Sequence, residues 1–317
     1  QHKIFFTTDT HNMDNPRSFL VGAVAGVVAC AAIVCLTSKR TNSKRYCNPD
    51  QPARHANHVK TGNVQALNIS SIFCGECYKG KRVLVTGTSR GLGLALAQEL
   101  VSLGATTIGT VRSPTKQKWD TTGLYQEITG VELTSDEDVE KMIAGLDGKP
   151  VDVLINNAGY FYEPPEPITN LNFKECSKQI EICAIGSLRV TGALYNNKLL
   201  APGAKITFIT SQGGSVGWRE YQNPNGGDYG HHMSKAANNM MAKLVAQELK
   251  GEGIYVSIVH PGFYRTEMTA KYAAIYDEHG AVEAHIGAKR VLHELNKLTR
   301  DSTGKFINCE NGCEIPW

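Results

Sequence analysis

Thr86-Gly-Thr-Ser-Arg-Gly-Leu-Gly93 stands between a short apolar run, Arg82–Thr86, and an amphipathic stretch, Leu92–Leu103. A glycine-rich turn that leaves a strand and enters a helix gathers backbone N–H groups and the positive end of a helix dipole at one point. That point suits the pyrophosphate of a dinucleotide. Gly87, Ser89, Arg90, Leu92 and Gly93 are therefore the first candidate cofactor-binding residues. Glycines in a turn say little alone; their place between strand and helix gives them weight.

Working outward, Thr106–Val111, Val151–Ile155, Lys205–Thr210 and Tyr255–Val259 are further short apolar runs, with helical periodicity near 135–146, 173–195 and 232–250 between them. Strands alternating with helices predict an α/β fold, a Rossmann-type doubly wound parallel sheet covered on both faces. Ligands of such sheets lie beyond the carboxyl ends of the strands. No Asp closes the second strand to hold a free ribose 2′-hydroxyl, and Arg112 follows it instead. With Arg90, it favours a 2′-phosphate, hence NADP(H) over NAD(H).

A second informative run is Tyr229-Gly-His-His-Met-Ser-Lys235. Residues four apart share a helix face, so position 231 shares a site with Lys235. Asn156-Asn-Ala-Gly159, Ile209-Thr-Ser-Gln212, His260-Pro-Gly262 with Thr266, Gly304-Lys-Phe306 and the closing Glu314-Ile-Pro-Trp317 complete an ordered set of motifs. On these residues, Lys81 to Trp317 resembles a short-chain dehydrogenase/reductase of the carbonyl-reductase (sniffer-like) branch. The resemblance implies that Asn157, Ala158, Gly159, Pro261, Gly262 and Thr266 line a dinucleotide, with Glu132 and Leu133 beside the adenine. Glu132 stands where that family usually has Asp. It also implies a tetrad of Asn, Ser, Tyr and Lys. Ser211 keeps the serine that hydrogen-bonds a substrate carbonyl, and Lys235 keeps the lysine that holds the nicotinamide ribose. The tyrosine position is His231 and the asparagine position is Cys183.

Imidazole is a competent general acid, with an ordinary pKa near 6.5 against about 10 for a phenol. The Lys235 ammonium, however, pushes a neighbouring imidazole towards neutral. The ring is also shorter than a phenol, and small misplacements of a proton donor cost much rate. His232 points about 100° away, so the two histidines do not make a metal pair. Tyr229, six before Lys235, belongs to the wrong face or to the preceding loop, and Tyr221 is a distant substitute. Two changes in one tetrad read as loss of reductase chemistry with the cofactor site kept. A working NADPH-dependent carbonyl reductase, with His231 as proton donor to a small carbonyl substrate, is the alternative. Gln222–Gly227 and the segment after Pro261 are expected at the pocket mouth.

The net charge of +3 is unevenly spread. Residues 1–80 hold nine Lys/Arg against four Asp/Glu, and the remainder twenty-four against twenty-six. The main domain thus carries no basic stripe for nucleic acid. The basic excess flanks Phe19–Leu36, eighteen residues without a charge. As a helix this run reaches about 27 Å, enough for a thin bilayer core. Lys39, Arg40, Lys44 and Arg45 follow as a stop-transfer cluster, which puts the C-terminal domain on the cytoplasmic, stromal or matrix side. Ser18, Gly22, Gly26 and Cys30 line small side chains along one face, the Gly22–Gly26 spacing that admits a partner helix in a membrane complex. A thylakoid or mitochondrial inner membrane is the expected location. The resulting division is a tail over 1–18, a transmembrane helix over 19–36, a basic linker over 37–80 and the NADP-binding domain over 81–317. Nine cysteines, an odd number in a long chain, fit a reducing compartment, with Cys74, Cys77, Cys309 and Cys313 read as free thiols, or Cys74 and Cys77 as a local disulfide, and no metal site expected.

Overall fold

Alternation along each strand decides which side of the sheet a residue covers. Leu84 joins one apolar cluster with Ile108, Leu154, Ile206, Phe208 and Ile258, while its neighbours Val83 and Val85 join another with Val153, Ile155, Ile209 and Val259. A strand buried on both faces is largely apolar, which is why most positions in these runs are apolar and the polar ones that remain, such as Thr107, Thr207 and Ser257, are small and buried. The computed structural model describes residues 46–115 and 119–317, and Tyr46–Trp317 form one unit.

The strands are β1 (Arg82–Thr86), β2 (Thr106–Thr110), β3 (Tyr125–Ile128), β4 (Val151–Asn156), β5 (Leu200–Ile209), β6 (Tyr255–His260) and β7 (Phe306–Asn308). They form one parallel sheet in the order β3-β2-β1-β4-β5-β6-β7. Chain order reverses between β1 and β4, and a crevice opens there beyond the strand ends. The expected doubly wound sheet is therefore present. β3 escaped the hydrophobic pattern because its residues are only partly buried at the sheet's edge.

Seven helices matter to the site: α1 (Gln51–Thr61), α2 (Gly91–Ser102), α3 (Asp136–Ala144), α4 (Phe173–Ile180), α5 (Gly186–Asn196), α6 (Tyr229–Leu249) and α7 (Ala284–Asn296). Ala95, Leu96 and Leu100 of α2 and Val291, Leu292 and Leu295 of α7 cover one face. Val139 and Met142 of α3, Val190 and Leu194 of α5, and Ala242, Val245 and Leu249 of α6 cover the other. Caps set several starts: Ser135 accepts from the Asp138 amide at 3.2 Å and Asn172 from the Glu175 amide at 3.2 Å.

Two expectations change. The helix anticipated over 173–195 is interrupted by a π-turn at Glu181–Ile185, which carries Cys183. The segment expected as a linker is folded from Tyr46 onward, with α1 packed on the domain. Its low apolar content hid it, because Ala66, Ile69 and Tyr78 are few apolar anchors among buried polar contacts. Asp50 caps α1 by accepting from the Ala53 amide at 3.0 Å, Pro52 sits in its first turn, and Gly62 closes it at φ 63°. That Asp–Pro–Gly punctuation was readable. The transmembrane segment expected over 19–36 lies outside the described residues; among the described residues no helix is long and apolar enough to cross a membrane.

Candidate active site

The turn after β1 is shaped by close backbone approach. A β-carbon on Gly93 would lie 2.0 Å from the Gly87 carbonyl oxygen and 2.5 Å from Asn157 Nδ2, so no larger residue fits there. Gly87 itself is left-handed at φ 73° and packs against Ala158. Asn157 donates from Nδ2 to the carbonyls of Thr86 (3.0 Å) and Gly87 (3.1 Å). Thr86 Oγ1 in turn accepts from the amides of Asn157 and Ala158, both at 3.0 Å. The ends of β1 and β4 are thus stitched into one rigid edge. Asn157, read from sequence as a cofactor contact, spends its side chain on this stitch while also bordering the cleft.

A cleft of about 1900 Å³ runs along this edge. At one end it is bordered by Gly87, Ser89, Arg90, Leu92, Gly93, Arg112, Glu132 and Leu133, and in the middle by Ala158 and Gly159. Beyond them come Ser211, His231, Lys235, Pro261, Gly262 and Thr266. Of the expected site residues, Cys183 stands behind the wall and is buried. Arg90 pairs with Glu267 at 2.6 Å and Arg112 with Glu132 at 3.7 Å, all at the surface. Exposed pairs of this kind are worth about 0–1 kcal/mol, so a phosphate can displace the carboxylates. An NADP(H) molecule fits these residues: the glycine turn and the start of α2 would hold its pyrophosphate, and Arg90 and Arg112 its 2′-phosphate. When bound, it would supply or accept a hydride.

The catalytic end is built by β5, the π-turn and α6. Ser211 leaves β5, and its Oγ accepts from the Gly213 amide at 3.0 Å. A β-carbon built on the buried Gly213 would sit 3.2 Å from Ser211 Oγ, 3.0 Å from His231 Nε2 and 3.2 Å from His232 Nδ1, so these side chains crowd around the glycine. A β-carbon on Gly159 would sit 3.8 Å from both Cys183 Sγ and Lys235 Nζ, which brings the fourth position to the lysine. Ser211, His231 and Lys235 thus border one cleft, and Cys183 lies beside Lys235 behind its wall. Cys183 Sγ lies 3.5 Å from both the amide nitrogen and the carbonyl oxygen of Tyr160, so the thiol is engaged with backbone.

His231 packs edge-on to Phe161, with ring centroids 4.8 Å apart, and to His232 at 5.3 Å. Its Nδ1 is buried and has no hydrogen-bond partner. Burial first, then the Lys235 ammonium, hold the imidazole well below its ordinary pKa. The ring is consequently neutral near pH 7. A neutral imidazole can donate a hydrogen bond from one nitrogen but is a weak source of a full proton. His232 is spent on other contacts, 2.9 Å from the Gly213 carbonyl and 3.1 Å from Arg219. Tyr229 opens α6 and Tyr221 is exposed on the preceding turn; both border the cleft.

Sequence reasoning missed a third group of residues. Asn48, Pro49, Asp50 and Gln51 border the cleft from upstream of β1. Tyr125 at the nucleotide end also went unread; its hydroxyl meets Thr88 Oγ1 at 2.8 Å, bracing the glycine turn. Gln222 to Gly227 and the segment after Pro261 do border the mouth. Among the described residues no cluster of His, Cys, Asp and Glu is arranged to hold a metal ion, and Cys74, Cys77, Cys309 and Cys313 are free thiols.

The model of the short chain dehydrogenase family matches residues 81–276. A 1-hydroxy-2-glutathionyl-2-methyl-3-butene dehydrogenase from Rhodococcus sp. (strain AD45) is 30% identical over 237 residues, covering 74% of this chain and 99% of that one. In structure, the carbonyl reductase Sniffer of D. melanogaster superposes with a TM-score of 0.63 at 22% identity, over 75% of this chain and all of that one. An NADPH-bound carbonyl reductase from chicken fatty liver gives 0.62 at 24%, with the same coverage of 75% and 100%. At these identities the two structures show a shared fold. Family model, relative and site geometry agree: this chain belongs to the short-chain dehydrogenase/reductase family.

Proposed function

We propose that this protein binds NADP(H) in the cleft and holds it with little carbonyl-reductase turnover, as a nucleotide-carrying subunit of a membrane complex. The observation that carries this reading is His231. A neutral, largely enclosed imidazole occupies the place where the family's chemistry needs a positioned acid. The glycine turn, the Asn157 stitch and the two arginines keep the dinucleotide end serviceable. The membrane part rests on sequence: Phe19–Leu36 as anchor and the Gly22–Gly26 face as the seat for a partner helix.

A second reading is supported by His231 and Ser211 bordering the same cleft on either side of Gly213. Two neutral donors aimed at one carbonyl oxygen stabilise negative charge developing there. In that case the chain is a slow NADPH-dependent carbonyl reductase.

Calorimetric titration of NADPH into the purified chain, followed by turnover on a panel of simple ketones, separates the readings. Binding without turnover is the expected result. Turnover that disappears in His231→Ala and survives in His232→Ala establishes the slow reductase, and absence of NADPH binding removes both.

A further inference from the structure

The family model begins at residue 81, and the relatives are covered almost end to end while a quarter of this chain is left over. Residues 46–80 therefore precede the stretch that the family model matches. They are nevertheless wired into the site. Arg54 of α1 is 2% exposed, and its guanidinium sits where three remote segments meet. Nε lies 3.1 Å from the Glu310 carboxylate near the C-terminus. Nη1 donates to the Asn48 carbonyl at 2.6 Å, and Nη2 to Gln212 Oε1 at 3.0 Å, on the residue after Ser211. The guanidinium also lies 5.8 Å from the centre of the Trp218 ring. Only arginine offers a planar fork of five donors that can serve a carboxylate, a carbonyl and an amide together.

The same short stretch reaches two more loops. Gln51 Nε2 donates to Glu310 Oε1 at 2.9 Å and to the His279 carbonyl at 3.0 Å. Gln222 Nε2 donates to the Pro49 carbonyl at 2.8 Å. The serine turn, the insert before α6 and the loop after Pro261 are thus all tied to residues 48–54. Those three segments border the substrate end of the cleft, where Phe161, Tyr221, Phe263 and Tyr272 present aromatic rings.

We infer that Tyr46–Arg54 is a built-in wall of the substrate end, and that Arg54 is the positioning residue that locks this wall to the Ser211–Gln212 turn. The wall, contributed from outside the matched family stretch, shapes the substrate end of the pocket beside the nicotinamide. This deepens the proposed function and rests on it for the place of the nucleotide. Cost and compensation agree with a specific role. Burial alone would raise the Glu310 carboxyl, but Arg54 and then His260 outweigh it and hold it down to about 2. The pair stays ionised beneath the site, and such a pair survives burial only with its remaining hydrogen bonds satisfied.

The test uses the full chain and phenanthrenequinone, a rigid aromatic diketone, titrated calorimetrically in excess NADP⁺, with NADPH titrated separately. Arg54→Met is expected to weaken quinone binding about tenfold or more while NADPH affinity changes less than about twofold. Arg54→Lys is expected to recover part of the loss, because a cation beside Glu310 returns without the fork. Gln222→Ala leaves the buried pair intact and frees the Pro49 carbonyl; quinone binding then falls about threefold. It decides the matter if Arg54→Met does not fold. Unchanged quinone affinity in the variants, equal weakening of both ligands, or a wild-type chain that takes NADPH but no quinone overturns the inference. Quinone uptake without NADPH binding, lost in the variants, sinks the nucleotide reading and leaves the wall standing. Uptake of neither sinks both.

Discussion

The two ends of the cleft are built on different principles. At the nucleotide end, function rests on backbone: a left-handed Gly87, a Gly93 with no room for a β-carbon, and a strand edge stitched by Asn157. At the other end it rests on single side chains around Gly213 and Gly159, where the proposed reading puts His231 and Cys183 in place of the family's Tyr and Asn. A backbone cradle is specified by many residues at once and changes only if the fold changes. A proton donor is one side chain, and replacing it leaves the scaffold standing. On the proposed function, the contrast is what lets a cofactor site outlast a changed proton donor.

The largest effect that would break this contrast is a gain. His231→Tyr puts a phenol beside Lys235 and Ser211 and is expected to raise ketone reduction by about 10²–10⁴, followed by nicotinamide absorbance. No gain would mean that the Cys183 change, or the pocket wall, has closed the site to chemistry as well. At the other end, Gly93→Val forces a side chain into the Gly87 carbonyl and is expected to weaken NADPH binding about a hundredfold, roughly 3 kcal/mol by calorimetry. Retained affinity there would show that the turn does not carry the pyrophosphate.

Acid sharpens the comparison by acting on the catalytic end. Burial holds His260 down to about 4, and burial with Lys235 holds His231 well below 6.5. Unfolded histidines take up protons near pH 6.5 while these two in the folded chain do not. Stability contributed by both is thus full above pH 6.5 and is lost as pH falls, through about 4 for His260, at up to about 1.4 kcal/mol per pH unit for each. Melting followed from pH 7 to pH 4 is expected to show this slope, flattened in His260→Asn. The smallest effect concerns cofactor choice. Arg112→Ala removes one exposed partner for a 2′-phosphate and is expected to weaken NADPH about five- to tenfold with NADH unchanged.

Much of this was legible before any coordinates. The apolar runs at β1, β2, β4, β5 and β6 announced a sheet buried on both faces, and the glycine turn announced its switch point. His231 and Cys183 were placed opposite Lys235 by helix spacing and motif order, and the structure gathers all three with Ser211. Less legible was β3, whose half-buried edge residues carry no strong pattern. The folded segment 46–80 was missed because it is polar, although Asp50, Pro52 and Gly62 mark α1 in the usual way.

What the sequence determined by itself was local and periodic. Strand and helix alternation, the glycine turn and the shared helix face of His231 and Lys235 follow from neighbours within a few residues, where backbone sterics and side-chain spacing act directly, while the tetrad reading came from the family resemblance. Tertiary structure alone decided that Arg54 meets Glu310 across 256 positions, that Asn157 is spent on the β1 edge, and that burial, ahead of Lys235, holds the His231 imidazole down. Each of these depends on burial and on charges brought close by the fold, and desolvation belongs to the surroundings of a residue, which one-dimensional spacing does not specify.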